Sequence, residues 1–304
     1  MWGQRGIVIV RFVAAQSIYS KYLVSLQNEF IYGGYLTSLG CPAIVISESL
    51  LLNVPVNLPI LVISFLLPLI VYSYNYYSEI EADMSGSRER ALFLKDTARE
   101  FPYITGLYVV FLILFLVLHA NIHTALFVLL LVAGGIAYTL FFKKLTRKIP
   151  FFKSVFVSLV WASAGAFLLL IYHYEDPGFA ALLLFAYIFL KGMINTTYFD
   201  LKDMLADSSQ GLKTLPVLLG KERTLKYLHA INLIAILPIV AGVATGALPA
   251  FALAMVGFYF YDRYYIGKAK AADNKDLLTF SYVFADAEFL LWPVLLVIAK
   301  ALFT

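Results

Sequence analysis

Long apolar stretches alternate with short polar connections along almost the whole chain. A membrane-spanning helix needs about 20 mainly apolar residues. Nine stretches approach that length, and polar residues such as Glu48 dilute the first of them most. The pattern predicts an all-α, polytopic membrane protein with about nine transmembrane helices. The predicted spans lie near residues 28–49, 58–80, 102–120, 124–142, 152–172, 178–199, 224–245, 247–266 and 281–302.

Composition argues against a soluble fold. Hydrophobic residues make up 62% of the 304 residues and charged residues 14%, whereas about 25% of the residues in soluble domains are charged. No stretch is polar enough to form a separate soluble domain. Lipid must therefore replace water around most of the molecule, and residues 1–304 are expected to form a single transmembrane domain.

Among the connections between spans, Lys and Arg occur only in every second one. Lys and Arg follow the second, fourth, sixth and eighth spans, as at Arg88, Lys143 and Lys213, while the other connections hold none. Cytoplasmic loops of membrane proteins carry an excess of Lys and Arg. The alternation predicts a cell-membrane protein with its N-terminus and basic loops in the cytoplasm and its C-terminus outside.

One acidic cluster ends the second span and another follows the sixth, on the same predicted face of the membrane. Their spacings, i, i+4, i+8 in the first and i, i+3, i+7 in the second, place each set along one face of a helix. Basic aromatic segments follow the fourth and eighth spans at the same interval of four spans, which favours a parallel four-helix repeat. The clusters are Asn75, Glu79 and Asp83, and Asp200, Asp203 and Asp207.

Acidic residues at helix ends are often solvated loop residues, but these two clusters have helical spacing and extend directly from apolar spans. A charged residue at the bilayer centre costs about 2.5–3.5 kcal/mol even on lenient scales, so such residues tend to have partners. Mg²⁺ is held by a few carboxylates while substrate phosphates complete its coordination. Nearby Lys and Arg residues suit an anionic group, although the positive-inside rule alone would also place them there.

The two clusters resemble the motifs of the UbiA superfamily of intramembrane prenyltransferases. That family pairs an Asn-x3-Asp-x3-Asp motif with a later Asp-rich motif in a nine-helix fold around a central cavity. The run from Asp200 to Gly220, above all Lys213-Thr-Leu-Pro-Val-Leu-Leu-Gly, matches closely. Tyr138 with Lys143 resembles the family's element after the fourth span, and Asn28 matches an Asn on the first helix.

The resemblance implies a Mg²⁺-dependent transferase that moves a prenyl group from an isoprenyl diphosphate to a lipophilic acceptor in the membrane. It implies Mg²⁺ ligands, a positively charged diphosphate site and catalytic residues near the carbocation. Asp200 is either a further ligand or a residue that orients the acceptor. The implied residues are Asn75, Glu79, Asp83, Asp203 and Asp207 for metal, Asn28, Arg88, Lys143, Lys202 and Lys213 for substrate, and Asp200, Lys143, Tyr138 and Tyr198 for catalysis.

The first motif departs from the family pattern at one metal ligand. Glu79 stands where the family has Asp, which keeps the carboxylate but lengthens its reach by one methylene. The family's Asp-x-x-Arg continuation is also replaced, by Met84-Ser-Gly-Ser-Arg88. Both changes alter the expected diphosphate site.

Four other functions share some features with this sequence. A UbiA-type terpene cyclase, or a non-catalytic member that binds isoprenoids, would carry the same motifs. A secondary transporter would place its acids near the membrane midplane, whereas these lie at one end. A phosphatidyl-group transferase would need an Asp-Gly-x2-Ala-Arg motif, which is absent.

Two acidic residues of the ninth span and four glycines within the spans allow further structural predictions. Asp286 and Glu288, at the start of the ninth span, are interpreted as solvated at the membrane interface. They lie on adjacent faces of a helix, so at most one of them could instead face a central cavity. Gly residues within spans allow close contact between helices. The glycines with this predicted role are Gly134, Gly135, Gly165 and Gly192.

Overall fold

A computed structural model describes residues 27–84 and 88–303. The side chains of Ala82, Asp83, Arg88, Glu89 and Lys275 lie outside the description. Within it, all regular structure is helical, so the predicted all-α class is confirmed. The helices are α1 (Tyr35–Leu52), α2 (Leu58–Ser78), α3 (Ile80–Asp83), α4 (Arg88–Asp96), α5 (Phe101–His119), α6 (Ile122–Leu140), α7 (Phe152–His173), α8 (Gly178–Lys202), α9 (Met204–Ser209), α10 (Leu215–Ile234), α11 (Ile236–Ala244), α12 (Phe258–Ala269), α13 (Asn274–Phe280) and α14 (Ala287–Phe303).

Eight helical stretches among the described residues are long and apolar enough to cross a membrane. Six are the single helices α1, α2, α5, α6, α7 and α8, and two are composite. The composite ones are Leu215–Ala244, formed by α10 and α11, and Asp276–Phe303, in which a π-helical turn, Ser281–Asp286, links α13 to α14. The predicted span 247–266 instead folds as a 3₁₀ segment, Ala250–Gly257, followed by α12. The described residues therefore contain eight long apolar helical stretches rather than the predicted nine spans, because the predicted span 247–266 is not one continuous helix.

The outer surface of α5 and α6 is apolar and exposed. Val117 is 77% exposed on α5 and Leu130 68% exposed on α6. A continuous surface of this kind is unfavourable in water and suits contact with lipid chains. Together with the eight long apolar helices, it identifies a multi-pass membrane protein.

Small residues let the central helices approach closely. A Cβ atom added to Gly192 on α8 would lie 3.1 Å from the Ser158 side chain on α7, and one on Gly165 would lie 2.6 Å from Ile44 on α1. A Cβ atom added to Gly135 on α6 would lie 2.6 Å from the Val71 side chain on α2. These three glycines confirm the packing prediction, which is wrong for Gly134, because a Cβ atom there would meet nothing within 4 Å.

The basic connections all lie at one end of the helices, called here the basic end. There α2, α6 and α8 finish and α7 and α10 begin. The main chain of Lys213 joins two of the connections, since its N–H donates to the Thr146 carbonyl at 2.9 Å and its carbonyl accepts from the Phe151 N–H at 3.1 Å. This cross-link fixes the loop between α6 and α7 against the loop before α10.

Candidate active site

A cavity of about 230 Å³ lies within the helices and reaches the basic end. Its walls come from α1, α2, α4, α6, α7, α8, α9 and the π-helical turn before α14. Polar and charged residues line it at the basic end, and apolar residues such as Leu67, Val71 and Val160 line it deeper in the molecule. The lining residues at the basic end include Asn75, Glu79, Arg90, Lys143, Lys153, Lys202, Asp203 and Asp207.

The first acidic cluster is split by a break in the helix. α2 ends at Ser78, and Glu79 follows with φ −113° and ψ 11°, its N–H still bonded to the Asn75 carbonyl at 3.1 Å. The predicted continuous helical face through Asp83 is therefore wrong, because the chain leaves helical geometry at Glu79. Glu79 instead pairs with Lys143 at 2.8 Å. Asp83 ends the short helix α3, but its side chain lies outside the described residues.

Asn75 faces the cavity beside α6. Its side-chain amide donates to the Thr139 hydroxyl at 3.2 Å. This contact uses the amide nitrogen of Asn75. Its amide oxygen, which is the atom suited to a cation, remains available on the cavity side. Asn75 and Glu79 thus both reach the cavity even though the helix does not continue between Glu79 and Asp83.

The second acidic cluster is also divided between elements. Asp200 lies within α8, Asp203 has φ −94° and ψ 5° just after its end, and Asp207 lies in α9. The Asp207 N–H donates to the Asp203 carbonyl at 2.8 Å, which keeps the two carboxylates on adjacent turns. Asp203 and Asp207 line the cavity, whereas Asp200 does not.

Asp200 is fully buried behind the cavity wall. It bonds Lys153 at 2.5 Å and accepts a hydrogen bond from the Ser154 hydroxyl at 3.3 Å. Lys153 itself lines the cavity. The contacts make Asp200 a positioning residue for Lys153, a cation that the motifs did not identify.

The Lys213-to-Gly220 motif positions an acidic residue rather than supplying a side chain to the cavity. The hydroxyl of Thr214, the residue that precedes α10, donates to the Asp207 carboxylate at 3.0 Å. The Lys213 side chain is exposed and does not line the cavity. The motif therefore acts through Thr214 and through the main-chain links of Lys213.

Two ion pairs at the cavity join a predicted metal ligand to a predicted phosphate-binding cation. One is Glu79 with Lys143, and the other is Asp203 with Lys202, whose charged atoms lie 2.6 Å apart. Burial alone would raise the pKa of the Asp203 carboxyl, but the ammonium groups of Lys202 and Lys153 outweigh it and hold the pKa below its ordinary value. Asp203 is therefore ionised at neutral pH.

Arg90 is a buried cation that the predicted substrate-binding residues did not include. Its guanidinium lies 4.5 Å from the centre of the Tyr76 ring and donates to the Tyr282 hydroxyl at 3.3 Å. The prediction chose Arg88, whose side chain lies outside the described residues. Both are in α4, and only the packing of α4 against α2 shows that Arg90 faces inward.

The predicted aromatic residues differ in position. Tyr138 lines the cavity and stacks on Phe156, with the ring centres 5.2 Å apart. Tyr198 is packed edge-on against Tyr265 at 4.9 Å, donates its hydroxyl to the Tyr265 carbonyl, and does not reach the cavity. Asn28 lies in a helical segment, 27–32, and is not part of the cavity wall either.

Among the described residues, one acidic residue lines the deeper part of the cavity. Asp286 accepts hydrogen bonds from the Thr37 hydroxyl at 2.6 Å and the Asn195 amide at 3.0 Å. Glu288 is buried elsewhere, 2.8 Å from Lys191. Both residues were predicted to be solvated at the interface, which is wrong: they are 4% and 2% exposed, because α14 begins inside the helix bundle.

The described side chains fit a metal that needs ligands from its substrate. Among them, no three His, Cys, Asp or Glu residues are grouped closely enough to hold a metal on their own. Mg²⁺ typically takes only one or two protein carboxylates and completes its shell with phosphate oxygens and water. Glu79, Asp203 and Asp207, all on the cavity wall, suit that mode of binding.

The comparison with protein-family models decides the family. The model of the UbiA prenyltransferase family matches residues 35–285, which contain every cavity-lining residue named above except Asp286. The chain belongs to the UbiA prenyltransferase family. No curated protein sequence gives a significant match.

Solved structures of UbiA homologues share this fold. The apo homologue from Aeropyrum pernix K1 has 18% identity and a TM-score of 0.66 over 88% of this chain and 97% of its own. A homologue from Archaeoglobus fulgidus bound to GPP and Mg²⁺ has 16% identity and a TM-score of 0.64 over 89% and 99%. Digeranylgeranylglyceryl phosphate synthase has 14% identity and a TM-score of 0.58 over 91% and 99%.

Proposed function

We propose that this protein transfers a prenyl group from an isoprenyl diphosphate to a lipophilic acceptor within the membrane, with Mg²⁺ as cofactor. The observation that carries the proposal is a cavity with carboxylates and cations at the basic end and apolar walls deeper between the helices. Such a cavity suits a substrate with an anionic head and a hydrocarbon tail. Membership of the UbiA prenyltransferase family supports the reaction class, and a homologue of the same fold binds GPP and Mg²⁺.

The proposed Mg²⁺ ligands form two sets. Asn75, Glu79 and Asp83 would hold one ion, and Asp203 and Asp207 a second. When bound, Mg²⁺ would neutralise charge on the diphosphate and so make it a better leaving group. The extra methylene of Glu79 is compatible with this role, because the Glu79 carboxylate still lines the cavity, where it contacts Lys143.

The cations of the cavity would bind the diphosphate oxygens. Lys143 and Lys202 are each held by a carboxylate of a proposed Mg²⁺ site. If that carboxylate turns to Mg²⁺, the lysine ammonium group can turn to the diphosphate. Each ion pair would then supply one ligand for the metal and one cation for the phosphate oxygens. Lys153 and Arg90 also line the cavity, and Arg88 is proposed for the same role. Such cations stabilise the charge that develops on the leaving group.

Tyr138 is the proposed aromatic neighbour of the allylic cation. Its ring lies on the cavity wall and is fixed by the stack with Phe156. The face of an aromatic ring attracts a cation within about 6 Å. Tyr198, which packs against Tyr265 away from the cavity, is not part of this proposal.

We also propose that the basic end faces the cytoplasm and that residues 1–304 act as one domain. The orientation rests on the confinement of Lys and Arg to the connections at that end. It would place the diphosphate site next to the cytoplasmic supply of soluble diphosphates and the C-terminus outside the cell.

Incubation of membranes with radiolabelled isoprenyl diphosphates of several lengths tests the function. The proposal predicts Mg²⁺-dependent release of diphosphate and transfer of the label to a second lipid. Release of diphosphate with a cyclic hydrocarbon as the only product would indicate a terpene cyclase instead. Binding of the diphosphate with no release would indicate a non-catalytic isoprenoid-binding protein.

A further inference from the structure

The walls of the cavity differ in polarity from one side to the other. Between α2, α6 and α7 the deep wall is apolar, formed by Leu67, Val71, Gly135 and Val160 among others. Between α1, α8 and the π-helical turn before α14 it is polar, formed by Thr37, Asn195, Thr196 and Asp286. A hydrocarbon tail suits the first side. The second side presents hydrogen-bonding groups with which a prenyl chain cannot form hydrogen bonds.

Asp286 is the centre of the polar side. It is 4% exposed, and its two oxygens accept one hydrogen bond each, from Thr37 and Asn195. A carboxylate oxygen can accept more than one hydrogen bond, so each oxygen retains acceptor capacity. Because Asp286 also lines the cavity, that capacity is available to a molecule bound there.

The position of Asp286 leaves room for a second substrate below the diphosphate. Asn195, its partner on α8, precedes Asp203 by eight residues, which corresponds to about 12 Å along the helix. The aromatic rings of Tyr72 and Trp161, joined by a hydrogen bond of 3.1 Å, lie at the same part of the cavity. A flat or ring-shaped molecule would contact these rings while one of its polar groups reached Asp286.

We propose that Asp286 recognises the prenyl acceptor by accepting a hydrogen bond from one of its hydroxyl or amino groups. This inference rests on the proposed function. The acceptor would then carry an uncharged donor at this end, since a carboxylate or phosphate placed there would be repelled by the Asp286 carboxylate. Thr37 and Asn195 position Asp286, because their hydrogen bonds fix both of its oxygens.

Equilibrium binding of two small probes to the purified, full-length protein tests the inference. The probes are 1-naphthol, a neutral ring with a hydroxyl donor, and 1-naphthoate, a ring of the same size with an anion. We expect the wild type to bind 1-naphthol at least 10-fold more tightly than 1-naphthoate. Asp286→Asn should weaken the binding of 1-naphthol by about 10- to 100-fold, as expected for loss of a hydrogen bond to a charged group. The same variant should bind 1-naphthoate more tightly than the wild type does.

Two variants separate charge from structure. Asp286→Glu keeps the negative charge and should keep the preference for 1-naphthol, whereas Asp286→Asn should lose it. Asp276→Asn is the matched control, because Asp276 is an exposed Asp in the same C-terminal segment and should change neither probe. An unchanged ratio of the two affinities in Asp286→Asn, or no preference in the wild type, would overturn the inference.

Binding of geranyl thiolodiphosphate with Mg²⁺, measured in the same variants, distinguishes this inference from the proposed function. We expect Asp286→Asn to bind this unreactive analogue as the wild type does. Loss of analogue binding in Asp286→Asn would show that Asp286 supports the diphosphate site or the fold, and would overturn acceptor recognition. Absence of analogue binding in the wild type would instead refute the proposed function, whatever the naphthol probes show.

Discussion

Lys143 and Lys144 are neighbours in the sequence but have different surroundings. Lys143 bonds Glu79 at 2.8 Å and lines the cavity, whereas Lys144 is exposed. We predict that Lys143→Met weakens binding of geranyl thiolodiphosphate with Mg²⁺ by about 10- to 100-fold, because a charged hydrogen bond to phosphate is lost. Lys144→Met should bind the analogue as the wild type does. Equal effects in the two variants would show that general positive charge, rather than the position of Lys143, governs binding.

Glu48 and Glu288 are both 2% exposed, but only Glu288 has hydrogen-bond partners. Neither carboxyl oxygen of Glu48 has one, whereas Glu288 bonds Lys191 and accepts from the Trp292 indole at 3.2 Å. An unsatisfied buried polar group costs about 1–3 kcal/mol. We predict that Glu48→Met raises the thermal midpoint of the detergent-solubilised protein and that Glu288→Met lowers it. A lower midpoint in Glu48→Met would show that Glu48 has a stabilising role.

At the scale of helices, one buried ion cluster joins three elements. Lys191 on α8 lies 2.6 Å from Asp262 on α12 and 2.8 Å from Glu288 on α14. Removing one partner from such a cluster leaves uncompensated buried charge and costs about 3–5 kcal/mol. We predict that Lys191→Met strongly lowers the thermal midpoint, and that Lys191→Met combined with Glu288→Gln recovers part of the loss. A single variant as stable as the wild type would show that the cluster does not stabilise the packing.

The apolar spans could be predicted from the sequence, because hydropathy over 20 residues determines whether a helix is stable in lipid. The ends and breaks of the helices could not. Glu79 and Asp203 lie at breaks, yet the residue spacing around both is compatible with continuous helix. Gly220, with φ 75°, marks another interruption within α10, and the predicted span 247–266 becomes a 3₁₀ segment and α12. Such breaks depend on contacts with neighbouring helices.

The motif residues identified the basic end of the cavity, and the structure brings Asn75, Glu79, Lys143, Asp203 and Asp207 together there. The residues that were missed had no distinctive spacing. Lys153 and Arg90 occur among many loop cations, and a single Asp such as Asp286 is equally compatible with a solvated helix end. Their inward positions follow from packing of α7, α4 and the π-helical turn before α14 against other helices, which a sequence pattern does not encode.

For the molecule as a whole, the arrangement of charge predicts orientation in the membrane. The only cysteine, Cys41, is buried and 1% exposed, so introduced cysteines can be labelled selectively. We predict that Asp176→Cys, in the exposed connection between α7 and α8, reacts with a membrane-impermeant maleimide in intact cells. Arg147→Cys, at the basic end, should react only after the cells are permeabilised. The reverse pattern would show that the basic end faces outward.

Carboxylates at the basic end are proposed to bind Mg²⁺ together with a diphosphate leaving group. The most direct test is the Mg²⁺-dependent rate of diphosphate release from a radiolabelled isoprenyl diphosphate by wild type, Asp207→Asn and the exposed control Glu81→Gln. We predict release by the wild type and by Glu81→Gln, and a loss of at least about 100-fold in Asp207→Asn, as is typical when stabilisation of transition-state charge is removed. Release of diphosphate by Asp207→Asn at the wild-type rate would contradict the proposal.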